Sequence, residues 1–346
     1  MLIVTLAGGI GSGKSTVAAA LAECGARLLS LDDVARDVLS PGEEAVREVG
    51  DLWPEAVREG KIDRAALARI VFDDAAALAR LNAVVHPRTW ERAQAQLASW
   101  REESLQAQSA REFVVVVVEL ALLAGSPYQD AYHGTIVVDA PEDVRVLRLV
   151  DSRGMDEADA RARIASQTPA SRVRELADVV VDNGGSLGDA ARAARELWEG
   201  WLVPYAANMR EGRRVFGGDA PPSPGQRARA AARLTRQGAF VNRESALGGG
   251  GGETAGDKGG GVLEIVGPAD ESSLAKAGFV PCAGELRAAS QTYKSRRVSP
   301  DARRDASGDS GDVASGSGNC APGGPRLYVS ADPRFAMAAV VTGEHD

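Results

Sequence analysis

A run of glycines follows the first apolar segment of the chain. Residues 8–16 read GGIGSGKST, with four glycines in the first six positions, directly after the apolar segment LIVTLA. Glycine loses more backbone freedom on folding than any other residue, so such a cluster indicates a tight backbone conformation that serves a purpose. The alanine-rich stretch that follows, Ser15 to Cys24, has helical periodicity. The glycines are therefore predicted to lie in a turn between a strand and a helix.

The spacing within this turn predicts what it binds. Gly8, Gly13, Lys14 and Ser15 fit the pattern G-x-x-x-x-G-K-[ST] of the P-loop. In such a loop, consecutive backbone N–H groups converge on phosphate oxygens, and the positive end of the next helix points at the same phosphates. Lys14 supplies a cation for the β- and γ-phosphates, and the Ser15 hydroxyl is a ligand for Mg²⁺. The sequence therefore predicts a site for ATP and Mg²⁺.

The rest of the first two thirds of the chain alternates apolar runs with helical stretches. The strand candidates are LIVTLA, FVVVVV, GTIVVDA and ADVVVDN, and the helical candidates are Ser15–Cys24, Asp63–Asn82, Pro87–Arg111, Pro141–Val150 and Asp156–Ser166. Strands that are apolar on both faces and separated by helices predict an α/β fold with a doubly wound parallel sheet. Pro87 and Pro141 are predicted to stand at helix starts.

Composition excludes several classes of function. A net charge of −8 and a pI of about 5.2 do not suggest a nucleic-acid partner. Cys24, Cys282 and Cys320 lie far apart, which suits a reducing compartment and argues against a structural metal site. We find neither a signal peptide nor an apolar run of the roughly 20 residues that a membrane helix needs, so a cytoplasmic protein is expected.

Composition also divides the chain. We predict a P-loop domain over residues 1–205, and then a linker with a glycine-rich low-complexity segment over 206–261. In the remaining tail, 262–346, only VLEIVGPADESSLAKAGFVPC and RLYVSADPRFAMAAVV look foldable, so the tail is expected to be largely irregular.

The segment LLSLDDVARDVLSPG offers a candidate base. A carboxylate after the second strand of a small-molecule kinase can orient an attacking hydroxyl and take its proton. Asp32 is the candidate, and Asp33 is expected to cap a helix running from Val34 to Leu39.

Beyond the P-loop, the chain resembles the dephospho-coenzyme A kinase family over most of residues 1–205. The resemblance rests on motifs in order: LAGGIGSGKSTVA, DDVARDVLSPG, GKIDRAALARIVF, LNAVVHP, LVDSRGMDEADARARIASQ and ADVVVDNGGS. It implies a P-loop core, a helical acceptor-binding domain and a mobile lid. It also implies transfer of the ATP γ-phosphate to the ribose 3′-hydroxyl of dephospho-coenzyme A.

The resemblance assigns roles residue by residue. It implies catalytic roles for Asp32, Lys14, Arg148 and Arg153, the two arginines lying in the lid. It implies nucleotide contacts for Gly11, Ser12, Gly13, Lys14, Ser15, Thr16 and Asn183, the last beside the adenine. It implies acceptor contacts for Arg36 and His86, and metal contacts for Ser15 and Glu119. Arg163 and Gln167 lie on the helix that follows the lid arginines, whereas Arg161 and Arg174 are expected to be solvated charges or partners in i,i+4 pairs.

Two departures from the family pattern leave an alternative open. The family has an acid–x–acid pair where this chain reads Ser30-Leu31-Asp32, and the family's proline and later glutamate are missing between Glu119 and Gly125. The expected function is ATP-dependent phosphorylation of dephospho-coenzyme A. The alternatives are a catalytically weakened nucleotide-binding protein and a kinase for another small-molecule hydroxyl.

The tail has a second resemblance. RLYVSADPRF and SLAKAGFVP are similar to segments of GrpB-like nucleotidyltransferase-fold proteins. The histidine and acidic pair expected of that fold are absent, so the resemblance implies a degenerate remnant without transferred activity. Oligomeric state is not predicted.

Overall fold

The architecture comes from a computed structural model. It describes residues 1–72, 74–106, 114–121, 123–126, 128–211 and 224–236, with the short segments 262–265, 274, 279–281, 326–330 and 338–341. The strands are β1 (Leu2–Ala7), β2 (Arg27–Ser30), β3 (Val57–Arg58), β4 (Lys61–Ile62), β5 (Val115–Leu120), β6 (Gly134–Asp139), β7 (Val179–Asp182), β8 (Val262–Ile265), β9 (Phe279–Pro281), β10 (Arg326–Ser330) and β11 (Ala338–Val341).

Helices connect these strands and flank them. They are α1 (Lys14–Glu23), α2 (Leu31–Val38), α3 (Glu44–Leu52), α4 (Arg64–Phe72), α5 (Ala75–Gln106), α6 (Glu142–Arg153), α7 (Glu157–Ala165), α8 (Ala170–Glu175), α9 (Leu187–Leu197), α10 (Val203–Glu211) and α11 (Pro224–Arg236). A short 3₁₀ helix spans Pro54–Ala56, and a π-helical turn spans Trp198–Leu202.

The chain forms two compact units, Met1–Ser126 with Thr135–Arg195 and Pro127–Gly134 with Glu196–Asp346. In the first unit a parallel five-stranded sheet has the order β2-β5-β1-β6-β7. Every residue of β1 is buried, as is every residue of β6, as expected for strands covered on both faces. The predicted parallel α/β sheet is confirmed, and four of its strands coincide with the apolar runs.

The parallel register places the carboxyl ends of neighbouring strands together. On β5, Glu119 pairs with Leu6 of β1 and with Ser30 of β2. At the other side of the sheet, Asp139 of β6 pairs with Asp182 of β7. Loops that follow these strands therefore meet at one edge, which is where parallel α/β sheets bind ligands.

The prediction that Pro87 starts a helix is wrong. Pro87 lies inside the 32-residue helix α5, where its ring removes one backbone hydrogen bond. Val84 and Val85 on the preceding turn are buried in a cluster with residues of α2, α3 and α4. In the same region Arg88 donates to the Val84 carbonyl at 2.9 Å and Thr89 donates to the Val85 carbonyl at 2.9 Å. Packing of the apolar face thus outweighs the local cost of proline, about 3 kcal/mol.

In the second unit, four strands form a sheet of order β8-β11-β10-β9. These strands lie within the two segments of the tail that looked foldable in the sequence. The glycine-rich stretch of residues 237–261 and most of the segments that resemble GrpB-like proteins lie outside the described residues. Within the described part of the chain, none of the helices combines the length and the apolar character needed to cross a membrane.

Helix α6 offers a matched test of the core. Leu149 is 1% exposed and packs in a cluster with Val146, Ala160 and Ile164, whereas Leu147 on the same helix is 59% exposed. We expect Leu149→Ala to lower the free energy of unfolding by about 2–5 kcal/mol, because it leaves a cavity. Leu147→Ala should change it by less than about 0.5 kcal/mol. Urea titration of both variants checks this, and equal losses would contradict the described packing.

Candidate active site

The glycine-rich loop lies between β1 and α1, as its spacing predicts. Gly13 is the N-cap of α1, with φ 85° and ψ 22°, and among the described residues no side-chain hydrogen bond caps the helix. The first N–H groups of a helix have no partner within the helix, and they carry the positive end of its dipole. Ser15, in the first turn of α1, is exposed. The loop therefore presents an anion-binding helix terminus.

The Ser12 carbonyl is held by side chains that approach the loop from α6 and from the segment after β7. It accepts a hydrogen bond from Asn183 Nδ2 at 2.8 Å and one from Arg148 Nη1 at 3.4 Å. In a trans peptide, the C=O of Ser12 and the N–H of Gly13 point in opposite directions. Anchoring the carbonyl therefore directs the Gly13 N–H away from Asn183 and Arg148.

Asn183 approaches the loop so closely that residue 13 must be glycine. A Cβ on Gly13 would lie 2.1 Å from Asn183 Nδ2, and the positive φ disfavours any other residue. Asn183 is 3% exposed and lies just beyond β7, where its own N–H donates to the Asp139 carbonyl at 2.7 Å. The structure thus places Asn183 against the loop backbone.

Of the two predicted lid arginines, one reaches the loop. Arg148 lies on α6 and also donates through Nη2 to the Gly185 carbonyl at 2.9 Å, so it links the phosphate loop to the loop after β7. Arg153 is the last residue of α6 and is exposed, about 7.5 Å further along the helix axis. The structure brings Arg148 to the loop, and a catalytic role for Arg153 depends on movement of α6.

Lys14 and Glu119 form an ion pair at the mouth of the loop. Lys14 Nζ lies 3.0 Å from Glu119 Oε2, and each side chain is 16% exposed. Glu119 is the residue before the last one of β5, so the sheet supplies the carboxylate and α1 supplies the ammonium group. Lys14, which is predicted to bind phosphate, and Glu119, which is predicted to bind the metal, therefore contact each other in this structure.

Ser30 has a structural role that the sequence did not reveal. Its hydroxyl accepts a hydrogen bond from the Asp33 N–H at 3.1 Å and caps α2, which begins at Leu31. The predictions that Asp33 is the cap and that the helix starts at Val34 are wrong, because a residue in extended conformation at the end of β2 satisfies the first turn earlier. Asp32 is exposed in this first turn of α2.

The predicted acceptor residues lie on α2 and α5. Arg36 is exposed and pairs with Asp33 at 2.6 Å. His86 is half-buried on α5, directly before Pro87. Their contacts with an acceptor remain predictions.

Arg174 was expected to be a solvated charge. Its side chain is 53% exposed, and it also forms an ion pair with Asp139 at the end of β6, with 2.5 Å between Nε and Oδ2. Arg161 does pair on the surface, with Glu157 at 2.8 Å.

Sequence reasoning missed Arg145. This side chain is 7% exposed and donates from Nε to the Ile10 carbonyl at 2.8 Å. Burial lowers the pKa of its guanidinium group, while the charges of Asp139 and Glu142 act in the opposite direction. The available signal was its spacing: Arg145 lies three residues before Arg148, on the same side of a helix.

A cavity of about 420 Å³ lies beside the loop. Its walls include Gly9 and Ile10 of the loop, Leu123 after β5, and Arg163 and Thr168 near the end of α7. Among the described residues, Lys14, Ser15 and Asp32 do not line it. The cavity therefore does not include the first residues of α1, and the amide directions and the helix terminus indicate where a phosphate binds.

Gly13 and Gly154 give a matched pair of substitutions. Both have positive φ, but a Cβ on Gly154 would meet nothing within 4 Å. Gly154→Ala should cost about 1–2 kcal/mol of stability from backbone strain alone and leave triphosphate affinity unchanged. Gly13→Ala should lower stability by more than Gly154→Ala, because the new Cβ displaces Asn183. It should also abolish triphosphate binding, since Asn183 then no longer holds the loop. Denaturant titration and calorimetry with ATP check both; normal ATP binding by Gly13→Ala would contradict the described contact.

Comparison with known proteins assigns the chain to a family. The family model described as dephospho-CoA kinase matches residues 2–189. A dephospho-CoA kinase of Thermobifida fusca (strain YX) is 42% identical over 201 residues, which are 58% of this chain and 96% of that protein. One of Mycolicibacterium paratuberculosis (strain ATCC BAA-968 / K-10) is 38% identical over 211 residues, 60% of this chain and 49% of that protein.

A solved structure is also similar. TT1252 from Thermus thermophilus has 36% sequence identity and a TM-score of 0.49, with 57% of this chain and 97% of that chain covered. The family model spans more than half of the sequence, and it includes the phosphate loop, Asp32, Glu119, Arg148 and Asn183. The chain therefore belongs to the dephospho-CoA kinase family.

Proposed function

We propose that the chain transfers the γ-phosphoryl group of ATP to the ribose 3′-hydroxyl of dephospho-coenzyme A, giving coenzyme A and ADP. Membership of a kinase family supports the reaction class. The observation that carries the proposal is the start of α1, which no described side chain caps and which follows a loop whose Ser12 carbonyl is held by Asn183. The family match over residues 2–189 does not favour the alternative of a weakened nucleotide-binding protein.

The triphosphate binds along the loop from Gly11 to Thr16. Backbone N–H groups and the positive end of α1 receive the phosphate oxygens. The Lys14 ammonium group, held by Glu119 at 3.0 Å in this structure, turns toward the β- and γ-phosphates when the nucleotide enters. A flexible, compact charge on a long side chain suits this exchange.

Oxygen donors suit Mg²⁺, which usually binds one or two protein ligands together with phosphate oxygens and water. The exposed Ser15 hydroxyl and the Glu119 carboxylate are such donors. Among the described residues, no group of three or more His, Cys, Asp or Glu side chains forms a dedicated metal cage. When bound, Mg²⁺ would neutralise charge on the β- and γ-phosphates.

Asp32 acts as the base in this proposal. It accepts the proton of the 3′-hydroxyl while the hydroxyl oxygen bonds to the γ-phosphorus, and the bond from that phosphorus to the β,γ-bridging oxygen breaks. Ser30 contributes by capping the turn that carries Asp32. Arg148 leaves the Ser12 and Gly185 carbonyls and Arg153 approaches as α6 moves, so that both supply positive charge to the transferred group. Arg36 and His86 contact the acceptor.

The domain limits belong to the same proposal. Residues 1–205 form the kinase, 206–261 a linker that includes α11, and 262–346 a remnant of a GrpB-like domain without its own activity. A cytoplasmic location completes the proposal, and its partners are the two small-molecule substrates, with no nucleic acid.

Lys14→Ala tests the phosphate site. Loss of a charge that stabilises the transferring phosphoryl group should lower kcat by at least about a hundredfold, while the fold is retained. Coupled ADP release with ATP, Mg²⁺ and dephospho-coenzyme A measures the rate, and circular dichroism checks the fold. Normal turnover would remove Lys14 from the mechanism.

Asp32→Asn tests the base, and Asp37→Asn is its control because Asp37 is another exposed carboxylate on α2. Asp32→Asn should lower kcat by about 10²–10⁴-fold with little change in ATP affinity, since the amide cannot take the proton. Asp37→Asn should retain normal activity. Equal activities of the two variants would refute the assignment of Asp32.

A further inference from the structure

Gly9 and Gly11 lie outside the two glycines that the P-loop pattern requires. A Cβ on Gly9 would lie 2.6 Å from Arg145 Nη2, and a Cβ on Gly11 would lie 2.8 Å from the Arg145 carbonyl oxygen. Real Cβ atoms do not approach other heavy atoms this closely. The extra glycines therefore let the loop lie directly against α6 at Arg145.

Between these glycines, the Ile10 residue is held at both ends. Its N–H donates to Gln167 Oε1 at 2.9 Å, and its carbonyl accepts from Arg145 Nε at 2.8 Å. Arg145 Nη2 also donates to the same Gln167 oxygen at 3.0 Å. We call this closed arrangement of Ile10, Arg145 and Gln167 the Ile10 clasp.

Burying a guanidinium group is costly unless its donors are satisfied. Arg145 is 7% exposed, and its planar group bonds to two acceptors in different parts of the chain. A lysine has a compact charge and lacks this planar fork, so it is not an equivalent replacement. The geometry of the clasp therefore depends on arginine and not on positive charge alone.

The clasp fixes the direction of the next amide. The Ile10 carbonyl and the Gly11 N–H belong to one trans peptide and point in opposite directions. By holding the carbonyl, Arg145 directs the Gly11 N–H away from α6. The Ser12 carbonyl and the Gly13 N–H are related in the same way one step later, through Asn183 and Arg148.

We propose that Arg145 is a positioning residue for triphosphate binding, with Gln167 as its partner. It acts through the Ile10 peptide, which sets the direction of the Gly11 amide before the nucleotide arrives. The inference rests on the proposed ATP site and extends it, because neither the P-loop pattern nor the predicted lid arginines include Arg145.

The test is a double-mutant cycle on ATP affinity, measured by calorimetry without acceptor. Arg145→Ala and Gln167→Ala should each weaken ATP binding by about tenfold or more, since small displacements of a positioned group are costly. The double variant should be no weaker than the worse single variant, because both remove the same clasp. Additive losses, or no loss, would overturn the proposal.

Controls separate positioning from charge and from general instability. Arg161→Ala removes an exposed arginine that pairs with Glu157, and it should leave ATP affinity unchanged. Arg145→Lys should bind ATP within about threefold of Arg145→Ala, because lysine cannot hold both acceptors. Full recovery by lysine would overturn the proposal, since charge alone would then suffice.

Gly9→Ala gives a second, independent readout. It should weaken ATP binding in the wild-type chain and cause a smaller loss in the Arg145→Ala background, where the guanidinium clash is gone and the contact of the new Cβ with Gln167 Oε1 at 3.0 Å remains. Equal losses in both backgrounds would also overturn the proposal. If the wild-type chain itself bound no ATP, the proposed function would be wrong. Normal ATP binding by the Arg145 variants would refute only the positioning role of Arg145.

Discussion

Two carbonyls of the phosphate loop point toward α6 and the segment after β7, and the site depends on this constraint. Because each peptide is trans, anchoring the Ile10 and Ser12 carbonyls turns the Gly11 and Gly13 amides to the other side. The anchors are side chains of α6 and of the residue just after β7: Arg145, Arg148 and Asn183. An amide array that is fixed in advance does not have to be ordered when the phosphates bind, which favours binding.

The sheet brings the remaining groups to the same edge. Parallel pairing places the ends of β1, β2 and β5 side by side, so that Ser30 and Glu119 are register partners. Glu119 then meets Lys14, while Ser30 caps the helix that presents Asp32. The replacement of an acid by Ser30, which appeared in the sequence as a loss, thus leaves the chain with an N-cap. The Glu119 carboxylate still lies at the same edge of the sheet, beside Ser30.

The sequence was most informative where local rules and the fold agree. The buried strands, the P-loop and the helix that follows it are short-range patterns, and the structure places them as predicted. It was least informative where distant segments meet. In the sequence, Arg145 is one more arginine in a helix, and nothing there shows its contacts with Ile10 and Gln167. Arg174 is an exposed charge, as expected, but its pairing with Asp139 depends on a distant strand. Pro87 misled for the same reason, because packing around Val84 and Val85 carries the helix through it.

The most direct measurement is a crystal structure with a non-hydrolysable ATP analogue and Mg²⁺. We expect phosphate oxygens about 3 Å from the backbone nitrogens of Gly11, Gly13 and Lys14. In the same structure, the Ser12 carbonyl should still accept from Asn183, and the Ile10 carbonyl should still accept from Arg145. Phosphates bound elsewhere, or a loop whose carbonyls have turned toward the nucleotide, would show that these anchors do not set the amide directions.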